Sequence, residues 1–318
     1  MTRTDLTSGV TVPVVTPLAP DGPPRPDGAG LERLFAAFAA AGVRRIMLLG
    51  SNGEGPLVPT PWLGPFVTDA VAAWHSLAPE NTIVVNVSAP GTAEVLLRAE
   101  AIADAGADGL ACTPPSYFPH RADEVVTHFT ALTELGRPVI IYHTPARATP
   151  LTEESITGVL ELPGIVGFKD SSGDLDQHRA LLGAAHAAGA GVAQGGETEA
   201  LAALRAGADG LVLGVANFAP ALVVELVRAV REGRDADAEA AQKTITELTG
   251  IHRIRRGVPS VKAILAARGL LATDRALPPL IGCTDAERDR LEELLAPYES
   301  VLITGTRRSD TDVHREPA

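Results

Sequence analysis

A short apolar run followed by a longer amphipathic, alanine-rich stretch occurs eight times in this chain, and that alternation constrains the fold more than anything else. The runs are Val10 to Val15, Arg45 to Leu49, Thr82 to Val87, Gly109 to Cys112, Pro138 to Tyr142, Ile165 to Lys169, Gly191 to Gln194 and Gly210 to Leu213. Most are rich in β-branched residues and lack polar alternation, as strands buried on both faces of a parallel sheet do. Between them, helix starts are marked by Asp27, Thr60-Pro61, Thr92, Asp123, Thr152-Glu153-Glu154, Asp174, Glu197 and Pro220. Gly42, Gly106, Gly136, Gly189 and Gly207 stand where helix C′ positions call for glycine. DAGADGL (104–110) and RAGADGL (205–211) nearly repeat, each a helix end, a tight turn and a strand start.

Eight such units predict an α/β fold of the closed (β/α)8 TIM-barrel type rather than an open doubly wound sheet. No glycine-rich dinucleotide fingerprint follows the first run. Beyond Glu232 the pattern changes, and Asp235 to Arg253, Pro259 to Arg268 and Thr284 to Leu295 read as helices. The expected organisation is a catalytic barrel over 1–232, a C-terminal helical bundle over 233–300 and a disordered polar tail over 301–318.

Charge and composition then exclude whole classes of function. With 27 basic and 39 acidic side chains the formal charge is −12, which repels a phosphate backbone, so nucleic acid is not an expected partner. An anionic substrate would need a local cationic site that opposes this field. No apolar stretch reaches the roughly 18 residues a membrane span requires. The opening MTRTDLTSG lacks the marks of a signal peptide, so a cytoplasmic location is expected. Cys112 and Cys283 are far apart and read as two reduced thiols. The eight histidines show no HxH or HExxH arrangement, and no metal site is expected.

In a barrel of this type the chemistry sits where strands end and βα loops begin. Lys169 ends the run GIVGF, where a lysine has no ordinary structural use. Desolvation there disfavours the ammonium and favours the nucleophilic amine, which forms imines with carbonyl compounds. Pairing with Asp170 or another strand-end carboxylate is the competing reading. Tyr142 ends the adjacent strand, about 4.8 Å away by strand spacing, and is either a proton relay or a core tyrosine with a satisfied hydroxyl. Ser51, Asn52 and Gly53 form a donor-rich turn suited to a carboxylate or oxyanion, or simply a capped turn. Arg147 is either a bidentate grip for a second carboxylate or a solvated surface side chain. Gly195-Gly196 with Gly214 read as glycines at a crowded rim in preference to a phosphate site.

Taken together, these residues resemble the dihydrodipicolinate synthase/N-acetylneuraminate lyase family, from PVVTPL (13–18) to GVPSVKAIL (257–265). The motifs that carry the likeness are GSNGE (50–54), GIVGFKDSSGD (164–174) and Tyr142-His143-Thr144-Pro145. The resemblance implies a class I pyruvate-dependent aldolase or lyase that works without a metal or organic cofactor. Lys169 would form the imine with pyruvate and Tyr142 would move protons beside it. Ser51 falls at the relay hydroxyl and Asn52 where the pyruvate carboxylate is held, while the main chain near Val212 would face the keto acid. Tyr117 matches a tyrosine that family members insert across a dimer interface, so a homodimer or homotetramer is expected.

The subfamily is read from one match and one departure. Arg147 matches the arginine with which synthases grip aspartate semialdehyde, whereas the Ser51-Asn52 pair looks more like aldolases acting on 4-hydroxy-2-oxoglutarate or 2-keto-3-deoxy sugar acids. The expected function is condensation of pyruvate with a carboxylate-bearing aldehyde, resembling 4-hydroxy-tetrahydrodipicolinate synthase. Cleavage or dehydration of a hydroxy-keto acid is the alternative, and a non-catalytic keto-acid sensor is a third reading. Gly55, Pro56, Thr60, Leu63 and Ser116 occupy the neighbourhood of the synthases' feedback pocket, which usually supplies a histidine and a second tyrosine, so L-lysine is not expected to inhibit.

Overall fold

The structure, a computed structural model, describes residues 6–305. Its strands are β1 (Gly9–Pro13), β2 (Arg45–Leu48), β3 (Thr82–Asn86), β4 (Gly109–Cys112), β5 (Val139–His143), β6 (Ile165–Asp170), β7 (Gly191–Gln194) and β8 (Gly210–Leu211). They pair in parallel and in sequence order, and β8 closes on β1, so the sheet is the expected closed barrel. The surrounding helices are α1 (Leu31–Ala40), α2 (Leu63–Leu77), α3 (Thr92–Glu100), α4 (Ala122–Thr133), α5 (Glu153–Leu160), α6 (Leu175–Ala187), α7 (Ala200–Arg205) and α8 (Pro220–Arg231). After them come α9 (Asp235–Leu248), α10 (Ile251–Ile254), α11 (Val258–Ala267) and α12 (Asp285–Leu295).

The local signals explain most of these boundaries. Thr152 and Asp174 cap α5 and α6 through side-chain oxygens that accept first-turn amides, and Pro220 opens α8. The five inter-element glycines all adopt positive φ, between 71° and 105°. Other boundaries move. Asp27 lies ahead of α1, which starts at Leu31, and Glu197 lies ahead of α7, which starts at Ala200. The single helix expected over 235–253 is two, α9 and α10, separated at Thr249-Gly250. The expected tail does not begin at 301: Leu302 and Ile303 are buried, and the Ile303 amide donates to Phe218 O at 2.8 Å. The rest of that segment, 306–318, lies outside the described residues.

Two apolar layers follow from the alternation of side chains along each strand. Leu6, Met47, Val84, Ala111, Ile140, Val166, Ala193 and Val212 fill the barrel's interior. A larger cluster lies between strands and helices and runs on into α9, α11 and α12 through Ile245, Leu248, Ile264, Leu265, Leu291 and Leu295. No helix among the described residues is long and apolar enough to cross a membrane.

Two irregularities matter for the site. In β6, Ile165 pairs with Val139 but Gly167 pairs with Ile140, so Val166 is an extra residue. This bulge resets the alternation: Val166 points into the barrel and Phe168 into the outer layer, which turns Lys169 inward beside Tyr142. Gly167 permits it, because a Cβ there would lie 2.6 Å from both Gly191 O and Thr7 Cγ2. At the other side, β8 contributes only two residues, and an amide side chain continues the seam. Asn217 Oδ1 accepts from Val15 N at 3.0 Å, and its Nδ2 donates to Pro13 O at 2.9 Å and Gly214 O at 3.1 Å.

Candidate active site

Lys169 and Tyr142 are register partners at the C-terminal ends of β6 and β5. Lys169 is only 4% exposed, and its Nζ lies 4.0 Å from the centre of the Tyr142 ring. The carboxylate next in sequence is not its partner. Asp170 points to the helix side, where it accepts from His143 Nδ1 at 3.0 Å and His178 Nδ1 at 2.9 Å. Among the described residues no carboxylate oxygen lies within 4.0 Å of Lys169 Nζ, so the ion-pair reading of this lysine is not what the side chain does.

Tyr142 is buried, and its hydroxyl lies 3.2 Å from Ser51 Oγ. Burial alone would push this phenol up, but the Lys169 ammonium, the Ser51 bond and the Arg147 guanidinium together hold it below its ordinary value. A phenol eased toward phenolate beside an ammonium can take the proton that the amine must lose before it attacks a carbonyl.

These groups border a cavity of about 640 Å³ at the strand ends, also lined by Asn52, Arg147, Ser171, Gly195, Val212 and Gly214. Asn52 packs against Gly214, whose absent Cβ would fall 3.3 Å from Asn52 Nδ2. A second cavity, about 360 Å³, shares Ser51, Tyr142 and Arg147 as a common wall and reaches toward Pro56, Thr60, Arg98 and Ser116. Lys169, Tyr142, Ser51, Asn52, Arg147 and Val212 are therefore gathered in one place.

Two of the sequence candidates are not. Gly53 lines neither cavity; its carbonyl accepts from Thr16 Oγ1 at 2.5 Å, and a Cβ would lie 2.8 Å from Leu49 N. Tyr117 is 87% exposed, sits at φ +78° and stacks edge-on against exposed Phe118 at 4.9 Å. It does not reach Tyr142 within one chain.

Two buried arrangements escaped the sequence reading. Glu54, at φ +54° in the turn after Ser51-Asn52-Gly53, forms a fully buried ion pair with Lys262 of α11. Its other oxygen accepts the Leu277 amide at 2.5 Å, while Lys262 Nζ also donates to Arg275 O at 2.9 Å. The turn that carries Ser51 and Asn52 is thereby tied to the C-terminal helices. The second arrangement is the Asp170 cluster. Both glutamate and lysine lie inside the motifs quoted above, but nothing in the spacing links positions 54 and 262.

Among the described residues, no group of three or more histidine, cysteine, aspartate or glutamate side chains is arranged to hold a metal ion. Cys112 and Cys283 are both buried and free, and burial pushes the Cys112 thiol up to about 12.

Comparison with known proteins bears on this geometry directly. Residues 6–297 match the Dihydrodipicolinate synthetase family. An uncharacterised DapA-like lyase of Halobacterium salinarum is 34% identical over 267 residues, 80% of this chain and 83% of that protein. The 4-hydroxy-tetrahydrodipicolinate synthase of Corynebacterium aurimucosum is 30% identical over 92% of this chain and 94% of its own. Among solved structures, the chloride-inhibited dihydrodipicolinate synthase of Acinetobacter baumannii, complexed with pyruvate, superposes with a TM-score of 0.82. That match has 26% identity and covers 92% of this chain and 98% of that one. A barrel with a lysine and a tyrosine facing one another at adjoining strand ends, matched to these relatives over nearly its whole length, belongs to the dihydrodipicolinate synthetase family of aldolases and lyases.

Proposed function

We propose that this enzyme forms a Schiff base between Lys169 and pyruvate and joins the derived enamine to a carboxylate-bearing aldehyde. The observation that carries the reading is the setting of Lys169: buried at the cavity floor, against the Tyr142 ring, with its neighbouring carboxylate engaged elsewhere. The pyruvate complex of the Acinetobacter relative adds support for the keto acid.

In this scheme the Lys169 amine attacks the ketone carbon, and Tyr142, linked to Ser51, protonates the departing oxygen so that water leaves and the imine forms. Asn52 and the main chain near Val212 hold the pyruvate carboxylate. The protonated imine withdraws electrons, the methyl group gives a proton to the Tyr142 phenolate, and the enamine carbon attacks the aldehyde, whose oxygen takes that proton from Tyr142. Water then hydrolyses the product imine and frees the amine. Arg147, on the wall shared by both cavities, orients the carboxylate of the second reactant. Aspartate semialdehyde is a reactant of this class.

A second reading runs the same steps backwards on a 4-hydroxy-2-oxo acid. The favouring observation is that the cavity continues past Lys169 to His252 and Arg256, leaving room for a longer chain. Exposed Tyr117 and Phe118 support the further expectation of a homodimer or homotetramer in which Tyr117 completes a neighbour's relay.

Borohydride trapping with pyruvate followed by peptide mass analysis tests the central claim. A single adduct on Lys169, absent in Lys169→Ala, is expected; no adduct in the wild-type protein would sink it. Aspartate semialdehyde consumption against pyruvate release from 4-hydroxy-2-oxoglutarate separates the two directions. Trapping without either activity would point to another aldehyde or to a keto-acid sensor.

A further inference from the structure

Behind Lys169, on the side of β5 and β6 that faces the helices, three buried polar side chains from three elements are linked in a row and a fourth lies beside them. They are His143 on β5, Asp170 on β6, His178 on α6 and Gln194 on β7, none more than 1% exposed. Asp170 accepts from both imidazoles through their Nδ1 atoms, and from the Ser172 amide at 3.0 Å and the Ser172 hydroxyl at 3.1 Å. Burial alone would raise this carboxyl, yet the bonds from His143, His178 and Ser172 hold it well below the usual carboxylate range. With the carboxylate ionised, each imidazole turns an Nδ1–H to it, a tautomer assigned from the bond pattern. His143 Nε2 is then free to accept the Leu151 amide at 3.4 Å. Gln194 lies beside this row and is not bonded to it, since its Nε2, 3.5 Å from His178 Nδ1, is a donor facing a donor; its Oε1 accepts the amides of Gly195 and Gly196, both at 2.7 Å.

A buried charge held by polar neighbours is seldom more stable than apolar packing of the same volume. The strands here pair through their backbones, and the helices pack on them through an apolar layer, so the fold does not call for it. Its location supplies a reason. His143 and Asp170 directly follow Tyr142 and Lys169, and the two pairs are consecutive register partners. Ser172, Gly195 and Gly196 are walls of the catalytic cavity. At Gly195 the wall touches the nucleophile itself: a Cβ there would lie 3.1 Å from Lys169 Cε and 2.1 Å from Ser171 Oγ. The amides that Gln194 clamps therefore set the surface against which the Lys169 side chain rests.

We propose that the His143–Asp170–His178 row and the Gln194 clamp beside it together form a positioning network that fixes Lys169 and Tyr142 against one another and holds the 171–173 and 195–196 walls in place. None of the four touches the reactants; they act through the residues that do. The inference rests on the imine reading, and the test keeps the two apart.

Pyruvate alone is the probe, with the full-length protein. Two quantities are read: the pyruvate concentration that half-saturates borohydride trapping at Lys169, and the maximal rate at which the pyruvate methyl exchanges protons with D2O. A wild-type protein that traps nothing overturns the imine reading, and the network falls with it. Given wild-type trapping, Asp170→Asn, His178→Leu and Gln194→Leu should trap with half-saturation within about threefold of wild type. Their exchange rate should fall about 100-fold, the scale of an ångström-size misplacement of reacting groups. His178→Asn retains a donor at the Nδ1 position and should recover most of the rate. The network is refuted if folded His178→Leu and Gln194→Leu exchange at the wild-type rate. It is equally refuted if trapping and exchange decline together with His178→Asn no better than His178→Leu, or if all four variants, His178→Asn included, fail to fold.

Discussion

Replacing Tyr142 with phenylalanine removes one oxygen and leaves almost everything else. The ring keeps its place 4.0 Å from Lys169 Nζ, and the lost hydroxyl had bonded Ser51 Oγ at 3.2 Å. Folding stability should drop by no more than about 1.5 kcal/mol, the net worth of one neutral hydrogen bond. The chemical cost is far larger. A positioned acid–base group contributes about 100- to 10,000-fold, or about 3–5 kcal/mol of barrier at 1.36 kcal/mol per tenfold. The expected result is a protein that still yields the Lys169 adduct on long incubation with pyruvate and borohydride, but exchanges the pyruvate methyl protons at least 100-fold more slowly. Exchange within threefold of wild type would refute Tyr142 as the proton carrier. Complete loss of trapping in a folded variant would refute the expectation of a slowed but surviving imine step, because it would make the hydroxyl indispensable there.

Arg147→Gln should leave pyruvate trapping unchanged and lower turnover of a carboxylate-bearing aldehyde about 10- to 100-fold, the worth of one charge-assisted bond; steady-state kinetics with each reactant varied in turn checks it. Lys262→Met strands the buried Glu54 carboxylate and should cost about 3–5 kcal/mol in a denaturant titration, with the Glu54→Gln/Lys262→Met double variant recovering much of the loss. L-lysine at millimolar concentration should not inhibit, since Pro56, Thr60 and Ser116 line the second cavity without an added histidine or tyrosine; a millimolar inhibition constant contradicts this. His128, pushed down to about 4 mainly by burial, binds fewer protons folded than unfolded, so stability should fall as pH drops from about 6.5 to 4 and then level off for this group. Urea midpoints measured across that range, with His128→Gln showing a flatter slope, report the effect.

Strand ends were legible because a parallel barrel buries both faces of each strand, leaving an uninterrupted apolar word that a polar residue such as Lys169 visibly ends. The inward aim of Lys169 was not legible. Simple alternation from Val166 would point Phe168 inward and Lys169 out, and only the bulge at Val166-Gly167 reverses this. Tyr117 could be matched to a motif, but whether it enters its own site or stands in solvent depends on a left-handed loop that sequence spacing does not encode. The Glu54–Lys262 pair lies beyond any periodicity argument, since its partners belong to a βα turn and to α11. The break between α9 and α10 was signalled only by Gly250, which a helical pattern can also tolerate.

Where β8 meets β1, ring closure depends on residues separated by some 200 positions: Val15 N finds its acceptor 202 residues later, on Asn217. Contacts of such separation must meet the entropy of a long loop before they return anything. A nascent chain therefore carries β1 with one flank unsatisfied through the making of seven βα units, and the last strand brings only two residues to cover it. Threading a carboxamide between Pro13 and Val15 lets a single side chain complete the hoop once it arrives.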